Sequence, residues 1–178
     1  MEDTIASEEG KVGTVNDIDR VDRIAEQWRD ERPDLDVSPL QVIGRLHRLA
    51  DRLREELLRV YREHGLGEGE FDILAALRRR GEPYACAAGE LARTTMVTTG
   101  AVTKRVDRLV ASGLVVRQGS EDDGRGRIVG LTPAGVRVID EAFAAHVRNE
   151  QRLLEGLTPA QRADLEALLR TWGGALGV

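Results

Sequence analysis

Ala85-Cys86-Ala87-Ala88-Gly89-Glu90-Leu91-Ala92-Arg93, followed by Met96-Val97-Thr98-Thr99-Gly100-Ala101-Val102-Thr103-Lys104-Arg105-Val106-Asp107-Arg108-Leu109, reads as two short helices across a tight turn. The first helix, near Ala87 to Arg93, is alanine-rich and suited to close packing under the second. On the second, Val102, Val106, Leu109 and Val110 recur at spacings of three and four and share an apolar face. Thr98, Thr99, Thr103, Lys104, Arg105 and Arg108 fall largely off that face. Their hydroxyls suit phosphates or base edges, and their cations can neutralise phosphates and fork onto guanine. Ser112-Gly113 stops the helix. Beyond it, Leu114-Val115-Val116-Arg117-Gln118 and Arg127-Ile128-Val129-Gly130-Leu131 flank a turn-rich tip, Ser120 to Gly126, and predict a β-hairpin with arginines at its end. The pattern is that of a winged helix-turn-helix, with one helix for the major groove and an arginine tip for the adjacent minor groove.

The order of helix pair, Gly113-Leu114-Val115, Asp123-Gly124-Arg125 and Leu131-Thr132-Pro133-Ala134-Gly135 resembles the MarR family of bacterial transcriptional regulators over the chain from about Ser38 onward. The resemblance implies that Asp123 and Arg125 support a wing contacting the minor groove, with Arg127 beside them. It also implies a cytoplasmic homodimer that binds a palindromic operator as a repressor.

Bulk properties fit. The chain has 178 residues, 41% of them hydrophobic but only 3% aromatic, so its core must be aliphatic, which favours helices. No run of eighteen apolar residues is present and the N-terminus lacks a signal pattern, so a soluble cytoplasmic protein is expected. The net charge of −5 is unevenly spread: residues 1–36 carry −7 and the remainder +2. Local field, rather than net charge, governs phosphate binding.

In chain order, residues 1–15 are polar and expected to be disordered. Residues 16–36 hold an extra N-terminal helix, starting at Asn16 or Asp17, with Ile18, Val21, Ile24, Ala25 and Trp28 on one stripe. Ser38-Pro39 opens a long helix to about Glu63. A further helix runs from Glu68 or Gly69 to Arg80. After the wing, Thr132-Pro133 and Thr158-Pro159 each open a helix, and the last carries Leu165, Leu168, Leu169, Trp172 and Leu176 on one connected face. The fold expected is mainly α with a small β-hairpin wing. Residues 67–132 form the DNA-binding region, and 37–66 and 133–178 an intertwined dimerisation region with more apolar surface than one subunit covers.

Four residues narrow the resemblance to the urate-responsive subgroup of that family: Trp28, Asp72, Arg79 and Arg117 stand where its ligand residues stand. Such a set suits urate, a planar anion at neutral pH. Trp28 offers an apolar face or ring donor, Arg79 and Arg117 planar cationic forks, and Asp72 an acceptor or a salt-bridge partner to be lost. Asp72 and Arg79 share a helix face about 10 Å apart. Arg117, at the junction of recognition helix and wing, would pass binding on to DNA. Citrate, aconitate and phenolic acids remain alternative effectors.

Against this stand plainer roles. Trp28 could anchor its helix, Asp72 could be a solvated charge, Arg79 lies in the run Arg78-Arg79-Arg80, and Arg117 could touch phosphate. Glu121-Asp122-Asp123 has turn chemistry and no nearby histidine to complete a metal site. His47, His64 and His146 are scattered; Cys86 fits a small core residue better than a redox sensor. The competing classes are a purine-processing enzyme with Asp72 as base, and a protein-interaction module. No phosphate loop, metal set or nucleophile and base spacing supports an enzyme, and no cofactor is expected.

Overall fold

The structure, a computed structural model, describes residues 19–94, 99–119 and 128–177. Seven helices and three strands are found among them: α1 (Arg20–Glu31), α2 (Leu40–Glu63), α3 (Glu68–Arg78), β1 (Ala85–Ala87), α4 (Ala88–Thr94), α5 (Thr99–Ala111), β2 (Val115–Gln118), β3 (Ile128–Leu131), α6 (Pro133–Leu153) and α7 (Pro159–Leu176). The chain divides into two compact units, residues 1–51 and 52–178, with α2 running from one into the other.

In the first unit, α1 starts at an N-cap, Asp19, whose carboxylate accepts from the Val21 and Asp22 N–H groups. The helix therefore begins three residues or so later than the sequence suggests, where a carboxylate can reach the free N–H groups of the first turn. Val21 and Ala25 are its buried residues. Gly44 of α2 lets the two helices approach: a Cβ there would lie 3.1 Å from Val21 Cγ1. Arg45 ties them at the surface, with Nε 2.9 Å from Asp19 and Nη2 2.8 Å from Asp22. Ile24 and Trp28, expected on the covered stripe, are instead exposed, Trp28 by 50%.

The second unit is built round α3, which is apolar on nearly every side. Phe71, Ile73, Leu74, Ala76 and Leu77 are all buried. Val102, Val106 and Leu109 of α5, Leu91 of α4, Val115 and Val129 of the sheet, and Ile139 and Ala142 of α6 complete this core. Val110 lies outside it, 38% exposed, one step past the stripe on which periodicity places it. The hairpin strands pair antiparallel, with Val116 opposite Gly130. Sequence patterning predicts two strands. The structure has three, in the order β1-β3-β2, because Ala85-Cys86-Ala87 pairs with β3 and sets Cys86 opposite Val129.

The Leu-Thr-Pro-Ala-Gly segment acquires a physical reason. Thr132 is the N-cap of α6: its Oγ1 accepts from the Gly135 N–H at 3.0 Å and donates to the Gly113 carbonyl at 2.8 Å. Pro133 occupies the first turn, where its missing N–H costs nothing. Gly135 is buried, and a Cβ on it would stand 2.0 Å from the Leu114 carbonyl oxygen. One cap thus locks the end of α5, the start of β2 and the start of α6 together.

Candidate nucleic-acid interface and effector site

With Val102, Val106 and Leu109 committed to the core, α5 has one face left for other work. Thr103 and Lys104 are exposed on it. The two arginines behave differently from the solvated cations that sequence suggests. Arg108 sends Nε to Glu70 Oε1 of α3 at 2.8 Å, although its own side chain stays 59% exposed. Arg105 is only partly exposed and lies flat over Gly69; a Cβ on that glycine would be 2.1 Å from its Cζ. Arg117 of β2 turns back to α5 and pairs with Asp107 at 2.5 Å, fastening the first wing strand to the recognition helix. Thr98, Asp123, Arg125 and Arg127, the remaining expected DNA contacts, lie outside the described residues, as does the side chain of Thr99. The Glu121-Asp122-Asp123 run is outside them too.

Asp72 lies on α3, three residues after Gly69. Burial pushes its carboxyl above the usual carboxylate range, and the neighbouring Glu68 pushes the same way. Arg105, Arg79 and His146 pull against them. A carboxyl raised in the folded state stabilises the fold when protonated, and that contribution is lost as pH rises through its raised value. Arg79 at the end of α3 and Arg105 of α5 thus favour the ionised form of Asp72 against its burial. His146 sits among Tyr61, Phe71 and Phe143, with its Nδ1 3.4 Å from the Tyr61 hydroxyl. Burial, with Asp72 and other acids nearby, pushes that phenol up to about 12.

Beside this stripe a pocket of about 420 Å³ opens between α3 and α6, where Ala75, Arg78 and Arg79 face Ile139, Asp140 and Phe143. Arg78 is already engaged there. It pairs with both oxygens of Asp140 at 2.8 and 3.2 Å, and its guanidinium lies 4.7 Å above the Tyr84 ring. The Arg78-Arg79-Arg80 run is thus three separate fittings: Arg78 joins α6, Arg79 lines the pocket, and Arg80 pairs with Glu90 of α4.

Of the four expected ligand residues, Arg79 lines the pocket, while Asp72, earlier on α3, is not among its lining residues and is linked to Arg79 only by the pull of that charge on its carboxyl. Trp28 belongs to the first unit. Arg117 lines no part of the pocket and is held by Asp107. The cation of α5 that draws on the Asp72 carboxyl is Arg105. Sequence reasoning placed Arg105 on the DNA side alone; the signal available was Gly69, a side-chain-free position three residues before Asp72. Cys86 is buried, and burial pushes its thiol up, which lowers its thiolate content.

Residues 64–126 match the model of the MarR family. The chain is 40% identical over 149 residues to the HTH-type transcriptional regulator PecS of Dickeya dadantii, covering 84% of this chain and 90% of PecS. It belongs to the MarR family. Like its relatives it is a DNA-binding transcriptional regulator, not an enzyme. A mutant of Escherichia coli MarR solved with operator DNA superposes with a TM-score of 0.64 at 27% identity, over 77% of this chain and 98% of that one. Bordetella bronchiseptica BpsR, whose DNA binding is regulated by 6-hydroxynicotinic acid, superposes with a TM-score of 0.59 at 26% identity, over 72% of this chain and 98% of that one. Within this MarR-type fold, α4 and α5 are the helix-turn-helix and β2-β3 the base of the wing.

Proposed function

We propose that this MarR-type regulator is a cytoplasmic homodimeric repressor of a palindromic operator, released by a small planar anion, with urate the favoured effector. The observation that carries the reading is the pocket between α3 and α6: Arg79 lines it, and Arg79 together with Arg105 of α5 draws on the partly buried carboxyl of Asp72. An anion arriving at Arg79 competes with Asp72 for positive charge and repels it. The hold of Asp72 on Arg105 changes, and with it the setting of α5. The ligand works to the extent that it prefers the non-binding arrangement. A heteroaromatic acid acting on BpsR supports an effector of this chemical class. Trp28 is carried from the subgroup resemblance as a residue required for the response. Arg117, through Asp107, sets the angle between wing and helix.

Pairing of subunits is supported by α7, which buries none of its residues and exposes Leu165, Leu168, Leu169 and Leu176. A two-fold pair offers two α5 helices to one duplex. No described helix is long and apolar enough to cross a membrane.

A gel shift on the DNA upstream of the protein's own gene, challenged with urate, citrate, aconitate and phenolic acids, tests the proposal. Urate should release the wild-type protein, whereas whatever DNA affinity Asp72→Ala and Trp28→Ala retain should not respond to it. Normal release of both variants by urate contradicts the assigned residues, and release by citrate alone contradicts the ligand.

A further inference from the structure

The first turn of α3 does more than start a helix. Glu70 is its third residue and uses both carboxylate oxygens. Oε2 accepts from the Gly67 N–H at 2.8 Å, closing the free end of α3, and Oε1 receives Arg108 Nε at 2.8 Å. The carboxylate is only 16% exposed, so it is fixed in place, whereas the Arg108 side chain is 59% exposed and free to leave along its length. A guanidinium resting on a rigid carboxylate has the geometry of one resting on a phosphate. One turn away, Arg105 lies over Gly69. Of the three cations on α5, two therefore rest on α3, and the third, Lys104, is exposed.

We infer that Glu70 sets operator affinity by occupying Arg108 in an internal ion pair that a DNA phosphate must displace. The inference rests only on α5 being the helix that meets DNA, and is independent of the effector. It makes Arg108 a contact with a built-in competitor. The protein gives up part of its attraction for any phosphate backbone, and recovers Arg108 only where the duplex brings a phosphate close enough to take it from Glu70.

Glu70→Gln separates the two tasks of this residue, because glutamine at the third helical position still accepts the Gly67 N–H but carries no charge. Binding of the upstream DNA is measured by fluorescence anisotropy over a range of salt for wild type, Glu70→Gln, Arg108→Ala and the double variant. Glu70→Gln should bind more tightly, by up to about fivefold, the ceiling set by so exposed a pair. Arg108→Ala should bind more weakly, with a log K against log salt slope shallower by about 0.9. The double variant should match Arg108→Ala. The inference is overturned if folded Glu70→Gln binds no better than wild type, or if the double variant keeps the gain, which would trace it to general loss of negative charge. If wild type fails to bind, the role of α5 fails instead. In the unsubstituted protein, the Nε–H NMR signal of Arg108, assigned by its absence in Arg108→Ala, should move when DNA is added; a signal that stays in place also overturns the inference.

Discussion

Helices α5 and α7 have the same kind of sequence and opposite fates. Each has apolar residues at helical spacing with charges between them. In α5 the stripe of Val102, Val106 and Leu109 is buried to within 3%. In α7 Leu168 and Leu176 are 68% and 67% exposed, and none of its residues is buried. The stripe on α5 is satisfied within its own unit, which leaves its other face for the proposed contact with DNA. The stripe on α7 is left over, which is what a surface reserved for a second copy looks like. Periodicity reveals that a helix has an apolar side; it does not say whose core that side joins.

The largest effect should come from spoiling the uncovered stripe. Leu168→Glu combined with Leu169→Glu should remove about 3–6 kcal/mol of the proposed association energy per subunit, at about 1.5–3 kcal/mol for each leucine buried against a partner. Sedimentation should show a monomer whose circular dichroism retains its helices. A dimer that survives both changes would place the subunit contact elsewhere.

Next comes the covered stripe. Leu109→Ala should cost about 2–5 kcal/mol of stability in denaturant unfolding, with no comparable change in the dimer constant. A cost below about 1 kcal/mol would mean that α5 is less committed to the core than its burial indicates.

The smallest difference lies in two matching caps. Thr132 accepts from the Gly135 N–H at the start of α6 and also donates to the Gly113 carbonyl at the end of α5. Thr158 caps α7 with local bonds alone, from Gln161 N–H at 3.3 Å. Thr132→Ala should cost about 1–2 kcal/mol and Thr158→Ala about 0.5 kcal/mol in thermal unfolding. Equal costs would remove the claim that Thr132 joins three elements.

The same contrast explains what the sequence could disclose. The helices from α2 to α7 follow from period, capping residues and Gly or Pro stops, and their ends fall within a few residues of expectation. β1 does not, since Ala85-Cys86-Ala87 lacks branched or aromatic residues and exists only because β3, more than forty residues on, offers it a partner. At the candidate site, spacing puts Asp72 and Arg79 on one helix, and of the two it is Arg79 that lines the pocket. The engagement of Arg105 and Arg108 with α3 cannot be read that way, because spacing assigns a side chain to a face and not to a partner on another element. Gly69 and Glu70 decide those contacts, one by lacking a side chain and the other by fixing a carboxylate.

The most direct measurement of the central claim, that two copies of α5 meet one duplex, is a hydroxyl-radical footprint on the upstream DNA with wild type and with the Leu168→Glu, Leu169→Glu variant. Wild type should protect two patches about 10 base pairs apart centre to centre, or a multiple of that, on one side of the helix. The variant should protect neither at the same concentration. A single patch for wild type, or full protection by a monomeric variant, would contradict the account.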